Sequence, residues 1–418
     1  MSSSAYFLKR QMLTALTLYR GMESSIYPAD RLLGNYFHQY RKRFGSRDRK
    51  VISEAVYGIF RHRRFIEGWE NASEKQDELF KPLAALVLEG LIDRKTFAEV
   101  WEGKDAEKYF GLFNRREIPG GIGFASPAEK LAFVYSFPLW MVERWLQRFG
   151  EEECVKLLRS LNERPPLVIR VNTVKISSEE LASRLAAKGH EAVPTEMSPY
   201  GLKIRERFNI FELEEFTEGF FEVQDEGSQL VALRVEPQPG EVVWDACAGG
   251  GGKTLMLAAL MKNKGRVIAT DIRANKLEDI KKRAKRAGLF NIFPADLNRL
   301  DESKLIRAGV DRLLIDAPCS GTGTLRRNPD AKWKMSLERL KQCRADQFGI
   351  LEKYTRYLKP GGRLVYATCS MEPEENEEVI EAFLREFTNF GRAADDTHLY
   401  PHQTSTDGFF ISQLIKSK

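Results

Sequence analysis

Apolar residues follow different rhythms in different parts of this 418-residue chain. From Tyr6 to about Trp101 they recur three and four positions apart, as at Leu8, Met12 and Leu16, which predicts amphipathic helices. Beyond about residue 216, short β-branched runs alternate with amphipathic stretches. This alternation predicts a parallel sheet with helices on both faces, that is, an α/β domain.

The α/β region contains five predicted strands and four predicted helices. The strands are 242–246, 266–272, 291–297, 312–318 and 363–369, and the helices are 252–262, 273–288, 337–358 and 374–388. Ligands in this architecture bind at the carboxyl ends of the strands. Each predicted strand ends in, or just before, a polar or cysteine-bearing loop, so we expect a binding site along that edge.

Two further segments separate the helical start from the α/β region. Glycines and prolines interrupt the helical pattern over 111–127, which predicts a boundary. Strand patterns at 167–173 and 201–206 flank a predicted helix at 178–188, as in a small α+β module. We therefore predict a helical domain over 1–125, linker helices with the small module over 126–215, and the α/β domain over 216–418.

Charge is unevenly distributed along a chain whose formal net charge is +6. The run 41–64 carries nine Lys or Arg against two acidic residues, and the run 273–286 carries seven against two. Either run alone is typical of a solvated helix face. Two separate runs in a basic chain favour a polyanionic partner, which predicts binding to nucleic acid.

The start of the chain, MSSSAYFLKRQM, lacks the apolar core of a secretion signal, and no apolar run is long enough to span a bilayer. We therefore expect a cytoplasmic protein without a membrane contact. We also expect a monomer. The five cysteines are scattered and odd in number, which predicts free thiols in that compartment. Neither they nor the five histidines have metal-ligand spacing, so we expect no metal site.

The run DACAGGGGKT (245–254) follows the first strand of the α/β region and ends like a phosphate-binding loop. A Walker loop requires glycine where this chain has Cys247, which disfavours an ATPase with Asp316 on magnesium. Asp271, Asp296 and Asp316 end consecutive predicted strands, and an acidic residue after the second strand is typical of ribose binding. The adenosine half of S-adenosylmethionine fits this turn and these carboxylates, with Asp296 near the adenine amino group.

Two strand ends carry a cysteine, in DAPCSGTG (316–323) and YATCSMEPEENE (366–377). A single cysteine is more often a small buried apolar residue. Two thiols beside a methyl donor and an acid fit methylation of a pyrimidine at carbon 5. One thiol adds to carbon 6 and makes carbon 5 nucleophilic, an acid stabilises charge at ring nitrogen 3, and a base removes the carbon 5 proton.

These motifs resemble those of the RNA cytosine-5 methyltransferases, as do DGFFISQL (407–414), LVIRVNT (167–173) and VQDEGSQL (223–230). The resemblance extends from about residue 130 to the C-terminus. The segment FGSRDRKVISEAVYGIFRHR (44–63) resembles the NusB-like RNA-binding domain found on the B-type methyltransferases of bacterial small-subunit ribosomal RNA. The resemblance implies a Rossmann-like S-adenosylmethionine-dependent methyltransferase domain, an all-helical NusB-like N-terminal domain and a small α+β module between them.

The resemblance also implies roles for individual residues. It makes Cys369 the nucleophile and Cys319 the partner that helps to remove the proton and free the product. The DNA methyltransferases instead use the cysteine of a Pro-Cys pair, so Cys319 stays a rival nucleophile. The residues implied to line the cofactor pocket are Cys247, Ala248, Gly249, Gly250, Gly251, Gly252, Lys253, Asp271, Asp296 and Asp316, and Asp316 would also face the cytosine.

This chain departs from the family at one point, where Gly249-Gly250 replaces the usual Ala-Pro. Two glycines predict a turn that is more mobile before the cofactor binds, and ordering it on binding costs up to about 1–2 kcal/mol per residue. Lys253 and the helix N-terminus remain, and they suit the cofactor's methionine carboxylate. We therefore expect the cofactor to bind.

RNA contacts are predicted at two places. The first is RRNPDAKWK (326–334), with Arg326, Arg327 and Trp333, for which an ordinary mobile loop is the alternative. The second comprises Arg47, Arg49 and Lys50 of the helical domain. The substrate implied by the resemblance is 16S ribosomal RNA; transfer RNA and a non-catalytic role in RNA binding or ribosome assembly are the alternatives.

Overall fold

The computed structural model describes residues 3–73, 77–101, 105–297 and 304–418. The helices within these ranges are α1 (Ser3–Glu23), α2 (Ala29–Gln39), α3 (Ser46–Ser73), α4 (Phe80–Leu88), α5 (Arg94–Val100), α6 (Ala106–Asn114), α7 (Pro127–Val134), α8 (Leu139–Asn162), α9 (Ser178–Ala187), α10 (Glu214–Thr217), α11 (Glu226–Leu233), α12 (Gly252–Leu260), α13 (Ala274–Ala287), α14 (Lys304–Arg307), α15 (Ala331–Lys334), α16 (Leu337–Thr355), α17 (Glu377–Glu386) and α18 (Pro401–Thr404). None of the helices in these ranges is both long and apolar enough to cross a membrane.

The strands form two sheets. They are β1 (Leu167–Val171), β2 (Ala192–Pro194), β3 (Gly201–Ile204), β4 (Phe221–Val223), β5 (Val242–Asp245), β6 (Arg266–Asp271), β7 (Ile292–Asp296), β8 (Val310–Asp316), β9 (Leu358–Thr368), β10 (Phe390–Arg392), β11 (Thr397–Leu399) and β12 (Phe409–Lys416). The chain divides into two compact units, Met1–Arg164 with Leu325–Met335, and Pro165–Thr324 with Ser336–Lys418.

The first unit is helical, as the spacing of its apolar residues predicts. On α3 the buried residues Ile52, Val56 and Ile59 recur at helical spacing, and α3 packs against α1 and α4. Local sequence fixes several helix starts: Asp93 caps α5 by accepting from Thr96 N at 2.8 Å. A cap of this kind stabilises a helix by about 1 kcal/mol.

The segment Leu325–Met335 belongs to the first unit, although it lies far along the chain. Lys332 is 1% exposed, and its Nζ donates to the carbonyl of Arg61 at 2.9 Å. The indole Nε1 of Trp333 donates to the carbonyl of Phe60 at 2.6 Å. The contacts therefore anchor this segment on α3.

The second unit begins with a small antiparallel sheet in the order β2-β3-β1-β4. Helix α9 packs on it through Leu181 and Leu185, which are buried with Ile169 of β1. The sheet extends to Val223, beyond the boundary predicted near residue 216, because β4 pairs with β1 at Ile169. Three residues are too few for a strand signal when the sequence is read alone.

The large sheet has the order β10-β12-β9-β8-β5-β6-β7, with β11 paired to β12. Strands β9, β8, β5, β6 and β7 are parallel, so the predicted α/β architecture is confirmed. The chain runs from β5 outward through β6 and β7, and then from β8 to β9 on the other side. This reversal opens a crevice at the carboxyl ends of β5 and β8, which is where ligands bind in such sheets.

Two features of this sheet were not predicted. Helix α16 ends at Thr355 and β9 starts at Leu358, earlier than the predicted residue 363. The added residues include Pro360-Gly361-Gly362, which lies within β9 at a register irregularity, with Gly361 at φ 75°. Strand β12 runs antiparallel to β9, because the C-terminal chain turns back along the sheet edge.

Candidate active site

The glycine turn joins β5 to α12 at the crevice between β5 and β8. Ala248 N donates to the carbonyl of Thr270 at 2.9 Å, and Gly249 N donates to Asp271 Oδ2 at 2.9 Å. Gly251 caps α12 with φ 82°, and a Cβ there would lie 2.7 Å from Ile280 Cγ1. The turn therefore lies directly against the end of β6.

Carboxylates follow β6 and β7, as the sequence predicts. Asp271 and Asp296 end the two strands in matching register. Burial alone would raise the pKa of the Asp271 carboxyl, but hydrogen bonds from Arg273 and from the turn hold the pKa below its usual value. An ionised carboxylate at this position suits the hydroxyls of a ribose. The exposed Asp296 lies at the sheet edge.

The third carboxylate, Asp316 at the end of β8, is paired with Lys253. The ammonium donates to Asp316 Oδ2 at 2.7 Å, and the lysine side chain is 12% exposed. Burial pulls the pKa of Lys253 down, but Asp316 and the nearby Cys369 more than offset this and leave the pKa above its usual value. Lys253 is thus positively charged and forms an ion pair with Asp316. A cofactor carboxylate would share the ammonium with Asp316.

The turn and the Lys253–Asp316 pair line an open cavity of about 180 Å³, and the predicted pocket residues Gly251, Asp271 and Asp296 are not part of its lining. The cavity is lined by Gln224, Ser228, Asp245, Cys247, Ala248, Gly249, Gly250, Gly252, Lys253 and Asp316. Sequence reasoning missed Asp245, the last residue of β5, which is 1% exposed. Its Oδ2 accepts from Thr254 Oγ1 at 2.7 Å, while its buried Oδ1 has no hydrogen-bond partner. A donor group of a bound cofactor can satisfy that oxygen.

Asp245 predicts a specific pH dependence of stability. Burial raises the pKa of its carboxyl to about 7. Between about pH 4 and 7 the folded state therefore keeps a proton that the unfolded state has lost, so stability falls as pH rises through this window, by up to about 4 kcal/mol. Asp245→Asn cannot titrate. We expect the melting temperature of this variant, measured without cofactor, to rise relative to that of the unmodified protein as the pH is raised from 5 to 8.

The control is Asp311→Asn, at the opposite end of β8. Burial raises the pKa of Asp311, but Lys359 outweighs it and holds the pKa below its usual value. This variant should therefore lose stability relative to the unmodified protein as pH rises through the acidic range. Parallel melting curves for Asp245→Asn and the unmodified protein would contradict the assignment of a raised pKa to Asp245.

The two cysteines predicted for chemistry lie together. Cys319 follows β8, Cys369 follows β9, and their sulfur atoms are 3.4 Å apart and half-buried. The hydrogen bond with Cys369, followed by burial, raises the pKa of the Cys319 thiol well above its usual value. A proton on Cys319 can thus be donated to the sulfur of Cys369. Cys247 is a third thiol of the site, whose pKa is also raised by burial.

Backbone contacts explain why motifs far apart in sequence meet here. Gly323 N donates to the carbonyl of Cys369 at 2.9 Å, and Gly408 N donates to the carbonyl of Gly323 at 2.8 Å. A Cβ on Gly323 would lie 2.3 Å from Gly408 O, so only glycine permits this approach. Asp225 Oδ1 accepts from Gly227 N and from Asp407 N, at 2.9 and 3.0 Å. Four motifs are thus joined by hydrogen bonds.

Side chains of neighbouring elements donate hydrogen bonds to the turn that contains Gly249-Gly250. Gly249 has φ 53°, in the region that favours glycine. Arg283 of α13 donates to the carbonyl of Gly250, and Arg170 of β1 donates to the carbonyl of Gly252 at 2.5 Å. Two guanidinium groups therefore hold a turn for which the sequence predicts mobility. The effect of the glycines on cofactor affinity stays a prediction.

The predicted RNA contacts differ in accessibility. Arg47 and Lys50 are exposed at the start of α3. Arg49 is half-buried and donates to the carbonyls of Phe44 and Arg41, at 3.1 and 3.2 Å, which gives it a local structural role.

The other candidates lie on the segment that is anchored in the helical unit. Arg326 is 4% exposed, and Trp333 is half-buried with its indole N–H already bound. Their burial argues against the alternative, an ordinary mobile loop. The RNA contact stays a prediction. Arg327 is half-buried, as Trp333 is.

Comparison with known proteins gives one consistent result. Residues 232–415 match the model of the 16S rRNA methyltransferase RsmB/F family, and residues 137–211 match that of the ferredoxin-like domain of RsmF/B-like methyltransferases. The chain is 30% identical to a probable ribosomal RNA small subunit methyltransferase B of Bacillus subtilis strain 168, covering 88% of this chain and 91% of that protein. A protein of the same name from Synechocystis is 32% identical, covering 88% and 92%.

A solved structure is also similar. A methyltransferase homologue from Pyrococcus horikoshii superposes with a TM-score of 0.62 and is 32% identical, covering 70% of this chain and 99% of that protein. The family models and this solved structure therefore indicate the same kind of protein.

Proposed function

The chain belongs to the 16S rRNA methyltransferase RsmB/F family, and from that premise we propose that it methylates carbon 5 of a cytosine in small-subunit ribosomal RNA through a covalent cysteine intermediate. Membership makes it an S-adenosylmethionine-dependent RNA methyltransferase with a Rossmann-like catalytic domain. The cytosine, the site on its ring, the roles of individual residues, a cytoplasmic location and a monomeric state are the proposed part.

One observation carries the proposal: two cysteine sulfurs lie 3.4 Å apart beside a Lys253–Asp316 ion pair, at the carboxyl ends of adjacent parallel strands. Methylation of a base amino group or of a ribose hydroxyl needs no thiol. Methylation of a pyrimidine carbon needs a nucleophile for carbon 6 and a base for the carbon 5 proton. A pair of thiols next to the cofactor cavity supplies both.

In this proposal Cys369 is the nucleophile. Its sulfur forms a bond to carbon 6, and the ring electrons move to carbon 5, which becomes able to take a methyl group. When bound, the cofactor supplies that electrophilic methyl. Asp316 faces ring nitrogen 3, and its partner Lys253, whose ammonium lies 2.7 Å from Asp316 Oδ2, supplies the positive charge that stabilises the negative charge developing there. Lys253 places a positive charge near the sulfur of Cys369, since the two groups interact electrostatically.

Cys319 completes the reaction as the base. While Cys369 is anionic, the hydrogen bond between the sulfurs keeps a proton on Cys319. Once the sulfur of Cys369 is bonded to carbon 6, its negative charge is gone and Cys319 ionises more readily. Cys319 then removes the carbon 5 proton, the S–C6 bond breaks, and Cys369 leaves as a thiolate. The raised pKa of the Cys319 thiol disfavours Cys319 as the attacking thiolate.

A cytosine within a stem cannot present carbon 6 to a thiol, so the target must be single-stranded or flipped out of its helix. The helical unit would bind the RNA backbone through its basic surface. We expect Arg47→Glu/Lys50→Glu to weaken RNA binding about tenfold or more and to reduce the slope of log K against log salt by about 2. Filter binding over a salt series measures both quantities.

The matched control is Lys95→Glu/Lys108→Glu, which reverses two exposed charges on α5 and α6. This pair should change affinity much less, because it lies outside the basic run 41–64. Equal affinity losses in the two double variants would indicate a general charge effect and remove Arg47 and Lys50 as specific contacts.

The proposal is tested by the product. The protein is incubated with cofactor and either small-subunit ribosomal RNA or bulk transfer RNA, and the nucleosides are separated by mass. We expect 5-methylcytidine from ribosomal RNA only. Bisulfite sequencing of RNA from a deletion strain locates the cytosine. Methyl transfer to another atom, or to transfer RNA alone, contradicts the proposal; cofactor binding with no transfer would instead favour an assembly factor.

A further inference from the structure

A buried carboxylate lies beneath the two cysteines and has no part in the reaction described above. Glu375 ends the 3₁₀ turn Pro373–Glu375 and is 0% exposed. Its Oε1 accepts from Ser320 N at 2.8 Å and from Gln347 Nε2 at 3.1 Å. Its Oε2 accepts from the hydroxyls of Ser320 and Ser370. Four donors converge on one side chain.

Two of these donor residues are the immediate neighbours of the reactive thiols. Ser320 follows Cys319, and Ser370 follows Cys369. The two hydroxyls also contact each other, with their oxygens 3.1 Å apart. One carboxylate thus holds both cysteine-bearing loops, which come from different strands, 50 residues apart in the chain.

We propose that Glu375 is a positioning residue that sets the separation of the Cys319 and Cys369 sulfurs. The inference rests on the proposed function, in which a proton stays on one sulfur while the other attacks. Glu375 acts through the serines, since it bonds to Ser320 and Ser370 and to neither sulfur. Other contacts between the two loops include the Ser320–Ser370 hydroxyl pair, the bonds of Ala317 N and Gly323 N to carbonyls at the end of β9 and in the loop after it, and side-chain contacts of Thr322. Among the side chains that touch both serines, Glu375 is a carboxylate that accepts from each of them.

The chemistry at this position requires a carboxylate. An ionised glutamate is an acceptor at both oxygens and can receive four hydrogen bonds, whereas glutamine has one acceptor oxygen and turns an NH₂ donor toward the remaining partners. The hydroxyls can rotate to suit an amide. When the amide oxygen of Glu375→Gln faces Ser320 N and Gln347 Nε2, the hydroxyls must accept from a neutral NH₂ group instead of donating to a carboxylate, which weakens the link between the two loops with almost no change in volume.

The test measures the sulfur pair directly, without RNA or methyl transfer. Phenylarsine oxide binds tightly where two thiols can bridge one arsenic atom, and weakly to single thiols. We expect the full-length protein to bind one equivalent, and Cys319→Ala and Cys369→Ala to lose this tight binding. Glu375→Gln should bind the arsenical at least about tenfold more weakly. Glu374→Gln, the neighbouring half-buried carboxylate of the same turn, should bind as the unmodified protein does.

A kinetic measurement separates positioning from general damage. For Glu375→Gln we expect kcat to fall about tenfold or more with the KM for the cofactor unchanged, because the cavity residues do not move. The single variants Ser320→Ala and Ser370→Ala should each weaken arsenical binding by an intermediate factor. If Glu375→Gln does not fold, these two variants carry the test.

The proposal would be overturned if Glu375→Gln and both serine variants bound the arsenical as tightly as the unmodified protein does. This holds even if these variants lost methyl transfer. Failure of the proposed function has a different signature. The product would not be 5-methylcytidine, while the arsenical series would still report on the role of Glu375.

Discussion

Cys319→Ala protein accumulates a covalent complex with RNA when cofactor is present, and Cys369→Ala protein forms none: this is the largest effect that we expect. With alanine at position 319 the sulfur of Cys369 still adds to carbon 6 and methyl transfer proceeds. The carbon 5 proton then has no base 3.4 Å from the attacking sulfur, so the S–C6 bond persists. Turnover should fall about 10²- to 10⁴-fold for Cys319→Ala, and still further for Cys369→Ala, which lacks the nucleophile.

Denaturing gel electrophoresis with labelled RNA separates the complex from free RNA. The matched control is Cys154→Ala, which removes a buried thiol of the helical unit and should give neither a trapped complex nor a large loss of turnover. A complex formed by Cys369→Ala and absent from Cys319→Ala would reverse the two roles and make the cysteine of the Pro-Cys pair the nucleophile.

The second large effect is expected for Asp316→Asn. Asp316 pairs with Lys253 at 2.7 Å and lines the cofactor cavity. The amide keeps the shape but removes the negative charge, so Lys253 loses its counter-charge and the cytosine loses the group that faces ring nitrogen 3. We expect kcat to fall about 10²- to 10⁴-fold, as for the loss of a general acid or base. Steady-state methyl transfer at saturating RNA measures this.

Asp311→Asn provides a closely matched comparison. Asp311 lies on the same strand, and it also pairs with a lysine, Lys359, at 2.7 Å. It lies at the opposite end of β8 from the cavity, so its loss should reduce stability and leave kcat near that of the unmodified protein. If Asp316→Asn and Asp311→Asn lose activity to the same extent, the loss reflects a role of both ion pairs in folding. Asp316 would then have no specific role in the reaction.

Much of the catalytic domain could be predicted because local pattern and fold agree there. The runs around β5, β6 and β8 are apolar on both faces, as strands buried between two helical layers must be. The rule that ligands bind at carboxyl strand ends then brings Asp271, Asp316, Cys319 and Cys369 to one edge before any coordinates are known. The structure adds the distances between them.

The rest depends on contacts between residues far apart in the chain. Strand β12 exists because Phe410 pairs with Thr368 of β9, a neighbour that its own sequence does not reveal. The segment 325–335 resembles a mobile basic loop, but Lys332 reaches the carbonyl of Arg61, 271 residues away in the chain. Glu375 likewise shows no local signal, since its partners Ser320 and Gln347 lie 55 and 28 residues away in the chain.

Asp245 illustrates the same limit within the site. In the sequence it is the last residue of a buried strand, which could equally be a capped strand end. Only the packing shows that one oxygen bonds to Thr254, that the other is buried without a partner, and that the residue lines the cavity. Its raised pKa follows from that burial, and it can be recognised only after the fold is known.

The central claim is that the sulfur of Cys369 bonds to a cytosine ring during methyl transfer. RNA containing 5-fluorocytidine tests it in the unmodified protein, because fluorine at carbon 5 leaves no proton to remove and the S–C6 bond cannot be released. After incubation with cofactor and digestion, mass spectrometry should find a methylated fluoropyrimidine on the peptide that contains Cys369. The same adduct on the peptide that contains Cys319, or 5-methylcytidine formed from normal RNA with no adduct from the fluorinated RNA, would contradict the account.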